Sequence, residues 1–157
     1  MNVFLEEHRK FLFLLIKNRV DFILIGGYAV IIYGYERGTG DMDIWLKPSN
    51  ENKVKFVVAL QEHGIEEESC EAVRKMNFEE TLVFHIGAKP NKIDFLTRVQ
   101  GLSYDAADTE KKTIALENQL VPVVDYHHLI VMKMLAGRLQ DKADIDILQK
   151  INKFKNK

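Results

Sequence analysis

A glycine pair followed by two closely spaced aspartates constrains this chain more than any other feature. An apolar strand at residues 23–25 leads into Gly26 and Gly27, and a short helical segment separates these from Asp41 and Asp43. Glycines after a strand let the backbone approach a phosphate, and the N-terminus of the next helix offers unpaired N–H groups. Two aspartates with one residue between them in an extended segment leave the same face, about 7 Å apart. Together these features favour a site for a metal-bound nucleoside triphosphate.

A single Asp-x-Asp pair is weak evidence by itself. The chain has ten aspartates among 157 residues, so about half such a pair is expected by chance, and a second pair occurs at Asp144 and Asp146. The pair at Asp41 and Asp43 differs because it follows the glycines and has apolar neighbours. A third carboxylate, Asp94, lies in another short apolar segment. We therefore expect these three aspartates to lie on neighbouring strands.

Three carboxylates on adjacent strands would repel one another. At about 4 Å and an effective dielectric constant of about 20, each contact between like charges costs on the order of 4 kcal/mol. A divalent cation removes this cost, and Mg²⁺ combines carboxylate oxygens with substrate phosphates. The alternative is three solvated aspartates at strand ends, which composition alone leaves open. The order and spacing of the motifs favour the metal site.

The same run of residues resembles the signature of the nucleotidyltransferase superfamily related to DNA polymerase β. Within it, the chain is most similar to small bacterial proteins akin to abortive-infection type nucleotidyltransferase toxins. The resemblance covers about residues 20–148, and it departs from many members, which carry Gly-Ser in place of the glycine pair. The matching residues of the run are Gly26, Gly27, Tyr28, Ala29, Val30, Tyr33, Gly34, Arg37, Thr39, Asp41, Asp43 and Ile44.

The resemblance implies an enzyme that transfers a nucleoside monophosphate from an NTP to a hydroxyl acceptor and releases pyrophosphate. Mg²⁺ or Mn²⁺ would be the cofactor, held by the catalytic residues Asp41, Asp43 and Asp94. Asp94 would act as general base or position the acceptor oxygen. The acceptor stays open: a tRNA end, a protein side chain or a small molecule such as an aminoglycoside. The residues implied to bind the nucleotide and its phosphates are Gly26, Gly27, Arg37, Thr39, Lys133, Asp141 and Asp144.

Lys133 lies in an apolar helical run, where a lysine needs a reason to bury its stem. An ammonium beside triphosphate oxygens is one reason, and a lysine that extends out of an apolar helix is the alternative. If helical geometry continues, Lys133, Gly137, Asp141 and Asp144 fall on one stripe. The resemblance implies that Lys133 steadies the phosphates, oriented by Asp141 or Asp144. It leaves the role of Arg138 open.

Composition predicts one ordinary globular domain over residues 1–157. The hydrophobic fraction is 46% and the charged fraction 29%, and the apolar runs are too short to span a membrane. A single cysteine, Cys70, excludes an internal disulfide and suits the cytoplasm. The net charge of −1 disfavours a protein that grips nucleic acid through overall charge. The lysines of residues 150–157 are interpreted as a solvated helix end.

Periodicity predicts an α+β fold, with a mixed sheet flanked by helices and C-terminal helices near the active-site cleft. The core would span about residues 20–124 and the C-terminal helical part about 125–152. The predicted strands are 22–25, 42–46, 81–86, 92–97, 113–116 and 120–124, and the predicted helices are about 3–18, 27–35, 50–61, 126–138 and 141–152.

Two functions of other classes compete with the enzyme. One is a non-catalytic, antitoxin-like protein that keeps the fold and binds a partner chain, as in a toxin–antitoxin pair. The other is a nucleotide-binding sensor that no longer turns over. Neither needs three clustered carboxylates, which favours catalysis.

The histidines of the chain do not predict a metal site. His127 and His128 are adjacent on a helix and cannot both face one ion, while the orientation of His85 is left undecided.

Overall fold

A computed structural model describes residues 3–155 of the chain, and within this range the backbone forms seven helices and six strands. Their bounds in chain order are α1 Glu6–Lys17, β1 Phe22–Ile25, α2 Gly26–Ile32, β2 Met42–Leu46, α3 Asn50–Glu62, α4 Glu67–Arg74, β3 Val83–Ile86, β4 Ile93–Leu96, α5 Tyr104–Glu110, β5 Lys112–Leu116, β6 Gln119–Val123, α6 Tyr126–Ala136 and α7 Leu139–Lys155.

The six strands form one mixed sheet in the order β3-β4-β2-β1-β6-β5. β2 pairs with β4 in parallel and with β1 antiparallel, and β1 pairs with β6 in parallel. The β3–β4 and β5–β6 pairs are antiparallel hairpins. The predicted α+β class, with a mixed sheet flanked by helices, is confirmed.

The register of four neighbouring strands aligns four residues in one row across the sheet. Asp94 on β4 lies directly opposite His85 on β3 and Asp43 on β2, and Asp43 lies opposite Ile25 on β1. Residues that are directly opposite in a ladder share a face, since side chains alternate along each strand. Asp43 and Asp94 therefore project from the same face of neighbouring strands, as the sequence predicts.

The opposite face of the same strands is apolar and holds much of the core. Ile44 and Phe95 alternate with the two aspartates and are fully buried. Phe95 contacts Phe11 of α1 and Phe56 of α3 through edge-on ring contacts, with centroids 5.8 and 4.8 Å apart. Each buried phenylalanine contributes about 1.5–3 kcal/mol from apolar burial. α1 and α3 thus cover one face of the sheet and leave the aspartate face open to α6 and α7.

Helix ends follow the capping signals of the sequence where these are explicit. Ser49 accepts a hydrogen bond from Asn52 N at the start of α3, and Asp125 accepts one from His127 N at the start of α6. Two helices, α4 and α5, lie in segments for which the sequence predicted no helix. Ser103 caps α5 by accepting a hydrogen bond from Ala106 N, in a segment where the sequence predicted neither a helix nor a strand.

The last two helices are separate, as predicted, so the condition for a single stripe from Lys133 to Asp144 is not met. α6 ends at Ala136, because Gly137 adopts a left-handed conformation with φ of 66°, and α7 begins at Leu139. α7 then continues to Lys155 with exposed lysines, while Lys157 of the predicted basic tail lies outside the described residues. Within residues 3–155, no helix combines the length and apolar character that a membrane crossing requires.

Candidate active site

Asp43 is the centre of a cluster of like charges. Burial, followed by the negative charges of Asp94 and Asp41, raises its pKa from an ordinary 3.8 to about 6, against the opposing charges of Lys133 and Arg138. The other two aspartates singled out by the sequence are therefore close enough to affect the ionisation of Asp43. Binding of a cation or a proton removes the free-energy cost of this buried negative charge.

The other two carboxylates have different surroundings. Asp41 Oδ1 is buried and has no hydrogen-bond partner within residues 3–155. Asp94 Oδ1 lies 3.3 Å from the Nζ atom of Lys92. Among the described residues, no group of three or more potential ligands is spaced to enclose one metal ion. Mg²⁺ is commonly held by one or two carboxylates together with substrate phosphates and water, so Asp41 and Asp43 fit such an ion as a pair.

Because Gly26 and Gly27 have no side chains, the Asp43 carboxylate and the loop that carries Thr39 can pack against their backbone. Gly26 has a φ of 70°, and a Cβ at this position would overlap the carboxylate of Asp43. A Cβ on Gly27 would lie 2.5 Å from Thr39 Oγ1. The Thr39 hydroxyl also donates to the carbonyl oxygen of Asp41 at 3.0 Å. The glycines thus allow the start of α2 to approach the carboxylate strand closely.

A buried ionic network joins the three segments around the site. The Nζ atom of Lys133 lies 3.2 Å from Asp141 Oδ1 and 3.0 Å from Asp144 Oδ2. Asp144 also accepts a hydrogen bond from Arg37 Nη2 at 3.0 Å. Burial would raise the pKa of Asp144, but hydrogen bonds from Lys133, Gln140 and Arg37 together with the charge of Lys133 outweigh it and hold the pKa below its ordinary value.

The resemblance implies that the Lys133 ammonium steadies phosphates and is oriented by Asp141 or Asp144, and in the structure both carboxylates contact it directly. Lys133 is only 7% exposed, and both of its partners are buried. The turn at Gly137 separates the helix of Lys133 from the helix of the two aspartates. Arg138, whose role the sequence left open, forms an ion pair with Asp141 at 2.7 Å from its Nε atom. Lys133 is thus a structural ion-pair partner that still lines the cleft.

Two cavities meet at Asp43. The first has a volume of about 280 Å³ and is polar. Two of its lining residues escaped sequence reasoning, because Lys89 belongs to the β3–β4 hairpin loop and Gln140 to the first turn of α7, and no local pattern marks either. Asp94 is not among its lining residues. The main ones are Gly26, Gly27, Arg37, Thr39, Asp41, Asp43, Lys89, Lys133, Arg138 and Gln140.

The second cavity has a volume of about 320 Å³ and extends from Asp43 toward β3 and β4. Gly26, Asp43, Lys133 and Arg138 line both cavities. The polar cavity is suited to an anionic group beside a metal, since backbone and cationic groups surround its carboxylates. The second cavity offers mainly apolar walls. The arrangement can therefore hold two reactants on either side of one carboxylate.

The overall fold is similar to that of solved nucleotidyltransferase structures. The chain is similar to the lincosamide antibiotic adenylyltransferase LnuA in its lincomycin-bound crystal structure, with a TM-score of 0.55 and 16% identity over 96% of this chain and 99% of that chain. It is also similar to a protein from Thermotoga maritima that is classed as a nucleotidyltransferase, with a TM-score of 0.53 and 15% identity over 95% of this chain and 90% of that chain. No protein-family model and no curated protein matches the sequence.

Proposed function

We propose that this protein is a metal-dependent nucleotidyltransferase, which moves a nucleoside monophosphate from an NTP to a hydroxyl acceptor and releases pyrophosphate. The observation that carries the proposal is the environment of Asp43. This carboxylate is largely buried, lies beside Asp94 and Asp41, and forms the wall between a polar cavity and an apolar one. A buried cluster of like charges costs stability, and binding of a cation with a phosphate would recover that cost.

Asp41 and Asp43 would hold the divalent ion, and the unpartnered Asp41 Oδ1 is an oxygen still free to act as a ligand. When bound, Mg²⁺ or Mn²⁺ supplies neutralisation of the phosphate charge and alignment of the reacting phosphate. Asp94 is proposed to be a further metal ligand that also acts as general base, or to position the acceptor oxygen. Its register position beside Asp43 supports either role.

The chain's own residues would bind the nucleotide and move one proton. The backbone N–H groups at Gly26 and Gly27, the Thr39 hydroxyl and the Lys89 ammonium line the side of the polar cavity where the leaving pyrophosphate would lie. The acceptor oxygen forms a bond to the α-phosphorus while the bond to pyrophosphate breaks. The acceptor proton passes to the Asp94 carboxylate.

The roles of the ionic network are indirect in this proposal. Arg37 is held by Asp144, and Lys133 by Asp141 and Asp144, so these residues fix the cleft's walls. The network contains three cations and two carboxylates, and its one excess positive charge favours an anionic group in the polar cavity. Arg37, Lys133, Asp141 and Asp144 therefore belong to the proposed nucleotide site as residues that position its walls.

Several finer assignments, which rest on composition, on the single cysteine and on the sequence resemblance, belong to the proposal. They are a single domain over residues 1–157, a cytoplasmic location, and a relation to abortive-infection proteins with a toxin–antitoxin partner. A tRNA end, a protein side chain and a small molecule are the acceptor classes. The described action of LnuA on an antibiotic supports the small-molecule class. A non-catalytic antitoxin-like protein is the second candidate, favoured only by the lack of a three-ligand metal group in residues 3–155.

Radiolabelled nucleotides test the proposal directly. The protein is incubated with Mg²⁺ and each of the four NTPs, labelled at either the α- or the γ-phosphate, with a cell lysate as the pool of acceptors. We expect transfer of α-label and none of γ-label. Asp43→Asn should abolish transfer, whereas Asp146→Asn should retain it, because Asp146 belongs to the other Asp-x-Asp pair and is 64% exposed. Transfer of γ-label, or full transfer by Asp43→Asn, would contradict the proposal.

A further inference from the structure

The second cavity is an apolar chamber beside Asp43, the one proposed catalytic carboxylate that lines it. It lies between the β3–β4 edge of the sheet, the loop that follows β4, and α6. Its apolar walls include Val83, Leu96, Val99 and Met132. Its volume of about 320 Å³ lies within the range of about 300–1,000 Å³ typical of small-molecule sites. The chamber is therefore large enough for a compact organic molecule.

The chamber and the polar cavity that the glycine pair lines extend to different sides of Asp43, as the attacking and leaving groups of an in-line displacement would. In an in-line displacement, the entering and leaving oxygens lie on opposite sides of the phosphorus. The glycine pair, Thr39 and Lys89 line the polar cavity, which places the leaving pyrophosphate on that side of Asp43. The apolar chamber extends to the other side, toward β4 and β3. The acceptor oxygen would enter from there.

The charges of the chamber disfavour a cationic occupant. Arg98 donates to the carbonyl oxygen of Glu79 at 3.1 and 2.7 Å, and within residues 3–155 its guanidinium forms no ion pair with a carboxylate. Lys133 and Arg138 add two cations against Asp43 and Asp141. The lining groups therefore carry one excess positive charge. A polycation would meet repulsion at Arg98, whereas an uncharged or anionic molecule would not.

The mouth of the chamber exposes apolar side chains. Val83 on the edge strand β3 is 76% exposed, and Leu135 on α6 is 47% exposed. Gly101 in the loop after β4 lets that loop approach Leu135, since a Cβ at Gly101 would lie 3.1 Å from Leu135 Cδ1. Exposed apolar groups around a cavity are typical of a surface that an apolar ligand covers.

We propose, on the basis of the proposed function, that this chamber is the acceptor site and that it takes a small hydroxyl compound with an apolar body and no multiple positive charge. A tRNA end or a protein segment would need a wider surface than the chamber provides. The net charge of −1 also gives the chain no general attraction for RNA.

A fluorescent probe tests the chamber without reference to activity. The probe is 8-anilinonaphthalene-1-sulfonate, an apolar anion whose fluorescence rises in apolar surroundings. We expect saturable binding that Val83→Glu weakens about tenfold, because the new carboxylate lies at the apolar mouth. Leu120→Glu is the matched control, since Leu120 is a 63% exposed strand residue on β6 that does not line the chamber. Equal binding by both variants, or no saturable binding by the wild type, would overturn the proposal.

A fractionated lysate tests the chemical class of the acceptor. Acceptors are separated by mass, and the small ones are then passed over cation-exchange and reversed-phase resins before the α-label assay. We expect the labelled product from small molecules that pass the cation exchanger and bind the reversed-phase resin. Acceptors that are macromolecular or that bind the cation exchanger would overturn the inference.

The experiments distinguish a failure of the acceptor-site proposal from a failure of the proposed nucleotidyltransferase function. Failure of the acceptor-site inference would leave the Mg·NTP-induced rise in melting temperature and the α-label transfer intact. Failure of the proposed function would remove both from the wild type. Val83→Glu should keep the Mg·NTP-induced rise and lose acceptor-dependent transfer, because Val83 lines the apolar chamber and not the polar cavity.

Discussion

The Nζ atom of Lys133 lies 3.0 Å from Asp144 Oδ2, with both side chains buried between α6 and α7. Asp144 in turn holds Arg37, which follows α2. Through these contacts, the glycine turn, the last two helices and the cleft form one connected unit. The stability of this unit and the chemistry of the aspartates can be measured separately.

Replacing Lys133 by alanine should destabilise the fold. The substitution leaves Asp141 and Asp144 buried with one partner fewer, and breaking a buried ion pair costs about 3–5 kcal/mol. Lys150→Ala is the matched control, because its pair with Asp146 at 3.1 Å is exposed on both sides and contributes less than about 1 kcal/mol. Chemical denaturation measures both. A loss from Lys133→Ala as small as that from Lys150→Ala would contradict the network.

A methyl group at Gly26 should disturb both the backbone and the carboxylate. Gly26 has a φ of 70°, and its Cβ would overlap Asp43, so we expect Gly26→Ala to cost more than about 1 kcal/mol and to weaken Mg·NTP binding. Gly64→Ala is the control, since Gly64 also has a positive φ, of 88°, but its Cβ would meet open space and it does not line the polar cavity, so this variant should keep Mg·NTP binding. Thermal unfolding and calorimetric titration measure these effects. Equal behaviour of the two variants would refute the close approach of Gly26 to Asp43.

The metal-free protein should lose stability through Asp43 as the pH rises. Its pKa in the folded protein is about 6, above the ordinary 3.8, so the group favours the folded state below pH 4 and this contribution disappears as the pH passes 6. Asp43→Asn lacks this dependence. With a chelator present, the variant should gain on the order of 3 kcal/mol over the wild type between pH 4 and pH 7. A difference that is constant with pH would show that Asp43 is not perturbed.

Asp94 and Asp43 should differ in their effects on binding and chemistry. Asp94 does not line the polar cavity, so Asp94→Asn should keep NTP affinity close to that of the wild type. Transfer should fall by at least about a hundredfold, because the proposed role of Asp94 appears only when the acceptor oxygen attacks. Nucleotide titration and the label assay separate the two. Equal loss of nucleotide affinity in Asp94→Asn and Asp43→Asn would mean that the roles are divided wrongly.

Much of the sheet was predictable because its signals are local. β1, the glycine pair and the aspartate strand follow one another within about twenty residues. The non-local pairing of β2 with β4 was expected only because Asp43 and Asp94 were assigned to one metal site. α4 escaped prediction because its buried side chains are only Cys70 and Val73 in an acidic segment. The ion-pair partners of Lys133 depend on how the turn at Gly137 orients α7 against α6, and sequence spacing does not specify that orientation. Lys89 reaches the cleft from a distant hairpin, which spacing in sequence does not reveal.

The central claim is that Asp41 and Asp43 form a site for Mg·NTP, and the change in melting temperature on ligand addition tests it most directly. The wild type, Asp43→Asn and Asp146→Asn are heated with Mg²⁺ alone, NTP alone and both together. At a ligand concentration of 100 times Kd, binding stabilises the folded state by about 2.7 kcal/mol. The account predicts this rise for the wild type and Asp146→Asn with both ligands, and its loss in Asp43→Asn. An undiminished rise in Asp43→Asn would contradict the claim.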